Sequence, residues 1–354
     1  MSDAVSLAGL VGGLALLILL TLRGWNLFIS APICALIVAL TSGIPVFMAE
    51  QNFVQSYMSG FTGFIASWFF MFLLGSIFGK FMEDTGAADS VAGWITGKLG
   101  KQRAVLAVVM ACAVLTYGGV SLFVVAFAVY PMALSLFKEA NLPRRFIPAA
   151  LAFGSVTFTM TSAGSPEIQN WIPMEYLGTT PYAAWEVSLV VAVFMALFGY
   201  WWLQRIIGAA INRGESFQAR DNDPQLQERH LPHPATGMLP LIIVLALSFF
   251  YHDALQQNAL IVALLGGVLT LMAINWRFFS DIQVALGHAT TGALIAIGNT
   301  AAVVGFGGVA RITPAFDMAV LAVTSLPGNE LVGAAVAVSA IAGLTGSASG
   351  GQVI

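Results

Sequence analysis

The 354 residues are 58% hydrophobic and only 9% charged, with a formal net charge of −3. A soluble domain carries about 25% charged residues. Too little charge is present to clothe a water-facing surface, which excludes a soluble fold and predicts an all-α polytopic membrane protein partnered by the lipid bilayer. Cys34 and Cys112 both lie in apolar runs and read as small core residues, with no disulfide framework implied.

A membrane-spanning helix needs about 20 mostly apolar residues. The first run, Leu7 to Leu22, closes at Arg23; no positive leader precedes it and no cleavage site follows, so it reads as a retained span. The second covers Leu27 to Ile44 and the third Gly60 to Phe81. Ala87 to Leu99 is shorter. It carries Asp89 and Lys98, with Val91, Trp94 and Ile95 at helical spacing, and reads as an interfacial helix. Ala104 to Leu136 is too long for one span and too short for two, and holds YGGVS near its middle; a re-entrant hairpin fits. The fourth span starts near Phe146, breaks at Thr161–Pro166 and resumes from Glu167 to Pro173, and the fifth runs from Ala183 to Leu203. Residues 208–235 are polar and charged, and divide a first repeat (1–207) from a second (236–354).

The second half repeats the order of the first, with spans at Met238–Tyr251, Ala259–Trp276 and Ala285–Val309, an interfacial stretch at Pro314–Leu326, and then a Gly/Ser-rich tip. Leu115 and Thr116 fall on Leu344 and Thr345, 229 positions on, and Gly75 falls on Gly305, 230 on. A near-constant shift is the mark of an internal repeat. If the hairpin does not cross, the first unit crosses five times, and an odd number inverts the second unit relative to the first. The predicted architecture is therefore two inverted repeats, each with a re-entrant hairpin and a broken transmembrane helix. The second repeat is incomplete on this reading, because the return arm, broken span and last span are not found before Ile354.

On this topology 13 of the 14 Lys and Arg residues fall on one face, and only Arg311 falls on the other. The positive-inside rule makes the first face cytoplasmic. The expectation is a multi-pass protein with its N-terminus outside and its central linker in the cytoplasm. Lys138, Arg144 and Arg145 then serve as cytoplasmic anchors, and no nucleic-acid partner is expected.

Three stretches carry the chemistry. In YGGVS (Tyr117, Gly118, Gly119, Ser121) the glycines allow a sharp turn and close approach of backbone N–H groups. The helix that begins there points its partly positive N-terminus at mid-membrane, which suits a carboxylate. In TSAGSPEIQN, Pro166 removes a helix hydrogen bond while Thr161, Ser162, Gly164 and Ser165 help satisfy the opened backbone. Glu167, Gln169 and Asn170 follow in a span with no other acid, and an intramembrane acid is a candidate proton carrier or cation ligand. GLTGSASGG supplies Thr345, Ser347 and Ser349 as the second tip. Asn299 and Thr300 are polar within a span and either bond a neighbouring helix or line the cavity. There is no HExxH or GxSxG pattern, and neither an enzymatic activity, a metal nor a cofactor is expected.

The run from FGSVTFTMTSAGSPEIQN to YLGTTPYAAW, with YGGVSLFVVAFAVYP upstream, resembles the gluconate permease (gluconate–proton symporter) family of the ion transporter superfamily. The resemblance covers essentially the whole chain and is most specific between Tyr117 and Tyr182. It implies a homodimer that imports a small carboxylate, a sugar acid or hydroxy acid, by elevator-type alternating access. The implied coupling ion is a proton, less often sodium. Gly118, Gly119, Ser121, Ser162, Gly164, Ser165, Pro166, Ser347 and Ser349 match the family's substrate or ion positions. The alternatives are a cation–proton antiporter and a sodium-coupled citrate or dicarboxylate carrier.

Overall fold

The computed structural model describes residues 2–48, 50–160, 162–220, 230–324, 330–345 and 348–353, and every regular element among them is helical. The chain opens with α1 (Asp3–Leu22) and α2 (Leu27–Thr41). The Asn26 side chain caps α2 by accepting the Phe28 N–H at 2.8 Å. The 32 residues of α3 (Phe53–Asp84) make about 48 Å of helix at 1.5 Å per residue, well beyond the apolar run alone. Next, α4 (Ala87–Leu99) occupies the amphipathic stretch, between Gly86 and Gly100, both at positive φ. A helix–turn–helix follows, α5 (Ala104–Tyr117) and α6 (Leu122–Glu139), turning through Gly118 to Ser121. At about 21 Å, α5 falls short of a hydrocarbon core of about 30 Å, whereas α6, at 18 residues and about 27 Å, lies at the lower end of the spanning range of about 17–25 residues.

The fourth predicted span is indeed interrupted. α7 (Ile147–Ala152) widens into a π-helical turn over Phe153–Thr157, the regular backbone stops, and α8 (Ile168–Leu177) resumes. α9 (Trp185–Asn212) runs nine residues past Leu203, into the segment read as linker. Gln204–Asn212 holds no proline and its single Gly208 does not stop the helix; the end comes where Gly214 takes φ +85. The second half contains α10 (Pro234–Leu255), α11 (Asn258–Asn275), α12 (Ile282–Ala310), α13 (Pro314–Thr324), α14 (Glu330–Thr345) and α15 (Ala348–Val353). Among the described residues six helices are long and apolar enough to cross a membrane: α1, α3, α9, α10, α11 with the short turn after it, and α12. α4 and the segment Lys101–Tyr117 form a further apolar pair bent by 98°. The protein is a polytopic, all-α membrane protein.

The chain divides into two compact bodies. The first comprises residues 1–72 and 293–354. In it α1 and α2 approach closely through small residues: a Cβ on Gly13 would lie 2.5 Å from the Val38 side chain. Leu10, Leu17, Cys34, Val38, Tyr57 and Phe306 form its apolar core. The Tyr57 hydroxyl donates to the Ala302 carbonyl at 3.1 Å, and the Ala315 N–H at the start of α13 donates to Ser6 Oγ on α1 at 3.3 Å.

Residues 73–292 make the second body. Here α10 and α11 pair as α1 and α2 do, with Gly267 against Val244 and Phe78. The start of α10 meets the start of α4: Ser90 donates to the Pro232 carbonyl at 2.6 Å, and a Cβ on Gly237 would fall 2.8 Å from the Ala87 carbonyl. In each body, then, the first helix of one half of the sequence packs on the short helix of the other half. Ser6 with Ala315, and Gly237 with Ala87, correspond to within one or two positions under the shift seen in the sequence.

Candidate functional site

The YGGVS tip is a helix C-terminus closed by glycine. Val120 N–H bonds the Leu115 carbonyl at 3.0 Å and Gly119 N–H bonds the Thr116 carbonyl at 2.9 Å. Gly119, at φ +92, supplies the left-handed residue this closure requires. Ser121 then precedes α6, and its side chain caps none of the first N–H groups of that helix. Those donors remain directed at the tip.

The TSAGSPEIQN break is held by side chains that satisfy its opened backbone. Thr159 donates to the Ser155 carbonyl at 2.7 Å, and Ser162 donates to the Phe158 carbonyl. Gly164 N–H reaches the Pro181 carbonyl at 2.8 Å, and Ala163 N–H reaches Ser188 Oγ at 2.9 Å. Asn170 Nδ2 donates to the Pro181 carbonyl at 2.9 Å and the Ser165 carbonyl at 3.3 Å, and Trp171 Nε1 donates to the same Ser165 carbonyl at 2.9 Å. In lipid every backbone polar group needs such a partner. Asn170 therefore acts through its amide as a clamp on the break.

Tip and break meet directly. The Tyr117 hydroxyl donates to the Ala163 carbonyl at 3.0 Å, and a Cβ on Gly119 would lie 3.1 Å from Pro166 Cγ. Gly118 and Gly119 also face Leu241 and Val244 of α10. Two polar atoms near this junction are buried without a hydrogen-bond partner among the described residues, Gln169 Oε1 and Thr116 Oγ1. A buried, unpartnered oxygen costs about 1–3 kcal/mol, so each is a place where a ligand, ion or water would be stabilised. The Glu167 backbone N–H leans on Ser165 Oγ at 3.4 Å, and its half-buried carboxylate makes no hydrogen bond or ion pair among the described residues.

A cavity of about 890 Å³ opens beside the junction, walled by Tyr117, Gly118, Phe158, Ser162, Trp185 and Leu241 among others. No charged side chain lines it among the described residues. Its hydroxyls are already engaged: Tyr117 and Ser162 with carbonyls, Ser188 with the Ala163 N–H, and Tyr182 with Ser248 at 3.1 Å. This space suits an apolar occupant. Ser121, Glu167 and Gln169, which offer polar groups still available, are not part of its wall.

Of the sequence-derived site residues, Tyr117, Gly118, Gly119, Ser121, Ser162, Gly164, Ser165, Glu167, Gln169 and Asn170 all belong to the second body. Asn299, half-buried on α12, and Ser349, buried on α15, belong to the first. Thr345 ends α14, while its side chain, with Thr161 and Ser347, lies outside the described residues. Sequence reasoning gave no role to Pro181, Tyr182 or Ser188. Their signal was a Pro-Tyr pair in the YLGTTPYAAW stretch that follows the break, and a hydroxyl three residues after it at the head of an apolar span.

The profile of the GntP family permeases matches residues 5–280. The chain is 36% identical to YxjC, an uncharacterized transporter of Bacillus subtilis, across 96% of this chain and 80% of that one. It is 35% identical to a gluconate permease of Pseudomonas aeruginosa over 27% of this chain and 21% of that one. To the high-affinity gluconate transporter of Escherichia coli it is 29% identical, over 40% and 31% respectively. No solved structure matches the chain.

Proposed function

The chain belongs to the GntP permease family, and from that membership we propose that it imports gluconate or a related small hydroxy acid with protons across the bacterial plasma membrane. The gluconate transporters among its relatives support the substrate class. The observation that carries the site is the junction of tip and break, through the Tyr117–Ala163 hydrogen bond and the Gly119–Pro166 contact. It joins the uncapped start of α6 to the break that carries Glu167, which would let a carboxylate and a coupling ion bind a single connected element.

In this reading the substrate carboxylate takes hydrogen bonds from the first N–H groups of α6 and from Ser121. Gln169 Oε1, buried and unpartnered, accepts from a substrate hydroxyl. Glu167 carries the proton. The matching packing of α1 on α13 and of α10 on α4 supports two inverted repeats, and the shortness of α5 supports a re-entrant hairpin. Elevator-type alternating access, a homodimer and a cytoplasmic central linker complete the proposal.

The test is solute counterflow in proteoliposomes loaded with unlabelled gluconate. Labelled gluconate is expected to accumulate transiently, with glycerate, 3-hydroxybutyrate and citrate ranked by competition. If no organic acid exchanges while cations do, the protein is an antiporter and the carboxylate reading fails.

A further inference from the structure

The apolar cavity beside the junction of tip and break is open on one side. Its floor is buried: Ala113 and Gly118 of the hairpin, Thr159 of the break and Leu241 of α10. Its mouth is not. Trp185 and Leu189 on α9, with Ile242 and Phe249 on α10, line the same space and are each more than half exposed. Both helices are long and apolar enough to cross the membrane. α9 leans on the π-helical turn, where Gly199 packs against the Phe153 ring, and α10 pairs with α11, so a cleft is left between α9 and α10. At one end its two sides are joined, by the Tyr182–Ser248 hydrogen bond and by the Tyr182 ring set edge-on to Phe249 at 5.4 Å.

We propose that this cleft is a lipid site, which takes an acyl chain of a membrane phospholipid laid along α10 against the tip and the break. Its mouth is formed by exposed side chains of two spans, so lipid hydrocarbon stands against it, continuous with the rest of the bilayer-facing surface. The cleft is also elongated. From Met238 to Phe249 it follows about 16 Å of α10. A spanning helix tilts on average only about 20° from the bilayer normal, which is the direction in which acyl chains lie. The walls, finally, ask for no polar partner. Besides the hydroxyls of Tyr117, Ser162, Tyr182 and Ser188, that of Thr159 is engaged too, with the Ser155 carbonyl at 2.7 Å. Water and carboxylates therefore gain nothing in this space. A chain entering from the bilayer gains van der Waals contact with walls that otherwise lack partner atoms. It would rest on Tyr117 and Ala163, the two partners of the bond that joins tip and break, and brace that junction from the membrane side. Ser121, Glu167 and Gln169 lie outside the wall, so the lipid does not compete for the groups assigned to the transported acid.

The test is photolabelling in phosphatidylcholine nanodiscs that also hold phosphatidylcholine with a diazirine in its acyl chain, the labelled residues being read by peptide mass spectrometry. Lipid that only coats the protein reaches exposed positions such as Val190 and Phe194 of α9, which are not in the wall. A chain in the cleft also reaches the buried floor, and labelling of Ala113, Thr159 and Leu241 alongside Val190 and Phe194 is expected. Ala192→Trp puts an indole into the wall. A chain forced in beside it overpacks the cleft, so floor labelling should fall about tenfold relative to Val190 and Phe194. Ala192→Leu adds less bulk and should give a smaller loss of the same sign, so a Trp variant that fails to fold, as read from its melting temperature, does not hide the answer. Labelling confined to the exposed positions overturns the proposal, whether the cleft is then empty or covered by a second copy of the chain. Floor labelling that both variants keep in full overturns it as well. Substrate transport is not read in this experiment, so its outcome is independent of the carboxylate assignment.

Discussion

Replacing Gly119 by alanine puts two separable strains on the tip. Gly119 sits at φ +92, and a left-handed conformation costs an L-residue about 1–2 kcal/mol. The added Cβ would also lie 3.1 Å from Pro166 Cγ, tight enough to push tip and break apart. Gly24→Ala provides the control: Gly24 has φ +82, and a Cβ there meets nothing within 4 Å. Both variants are expected to lose about 1–2 kcal/mol of stability in thermal unfolding. Only Gly119→Ala disturbs the junction, and since 1.4 kcal/mol is tenfold in an equilibrium, its KM for gluconate uptake should rise about 5–30-fold. Gly24→Ala should keep the wild-type KM. Equal KM values in the two variants would refute the claim that the contact of tip and break organises the binding site.

Tyr117→Phe removes one hydrogen bond to the Ala163 carbonyl and should destabilise by about 0.5–1.5 kcal/mol while raising KM, read by unfolding and uptake on the same preparation. Asn170→Ala removes one of the two hydrogen bonds at each of the Ser165 and Pro181 carbonyls, which keep Trp171 Nε1 and the Gly164 N–H, and should cost about 0.5–1.5 kcal/mol per bond in the melting transition, marking it as a clamp. Gln169→Leu replaces a buried, unpartnered oxygen by carbon, so stability should hold or improve while gluconate affinity falls; unchanged affinity would remove Gln169 from the site. Glu167→Gln should leave counterflow intact and abolish acceleration by an imposed proton gradient, whereas wild-type coupling in that variant would exclude Glu167 as the proton carrier.

Where local chemistry alone sets a boundary, the sequence was readable to the residue. α4 spans Ala87–Leu99 as expected, because glycines at both ends stop it. α9 overran its expected end because hydropathy marks lipid depth and says nothing of where a helix stops; that stop waits for Gly214. Pro166 announced the break, yet the irregular backbone begins earlier, with a π-helical turn at Phe153. Its extent depends on bonds from Thr159 and Ser162 to carbonyls four residues back, and on Pro181 and Ser188, which are distant in sequence. No periodicity carries such information. Likewise Arg144 and Arg145 read as membrane anchors, and only the docking of Glu215 brings them to one cavity with Arg213 and Arg220.

The most direct test of the central claim is gradient-driven accumulation. Proteoliposomes holding the purified chain are diluted into acidic buffer containing labelled gluconate, with and without a protonophore. The account predicts accumulation above the external concentration that collapses when the protonophore is added. Gluconate that only equilibrates, or accumulation indifferent to the proton gradient, would contradict it.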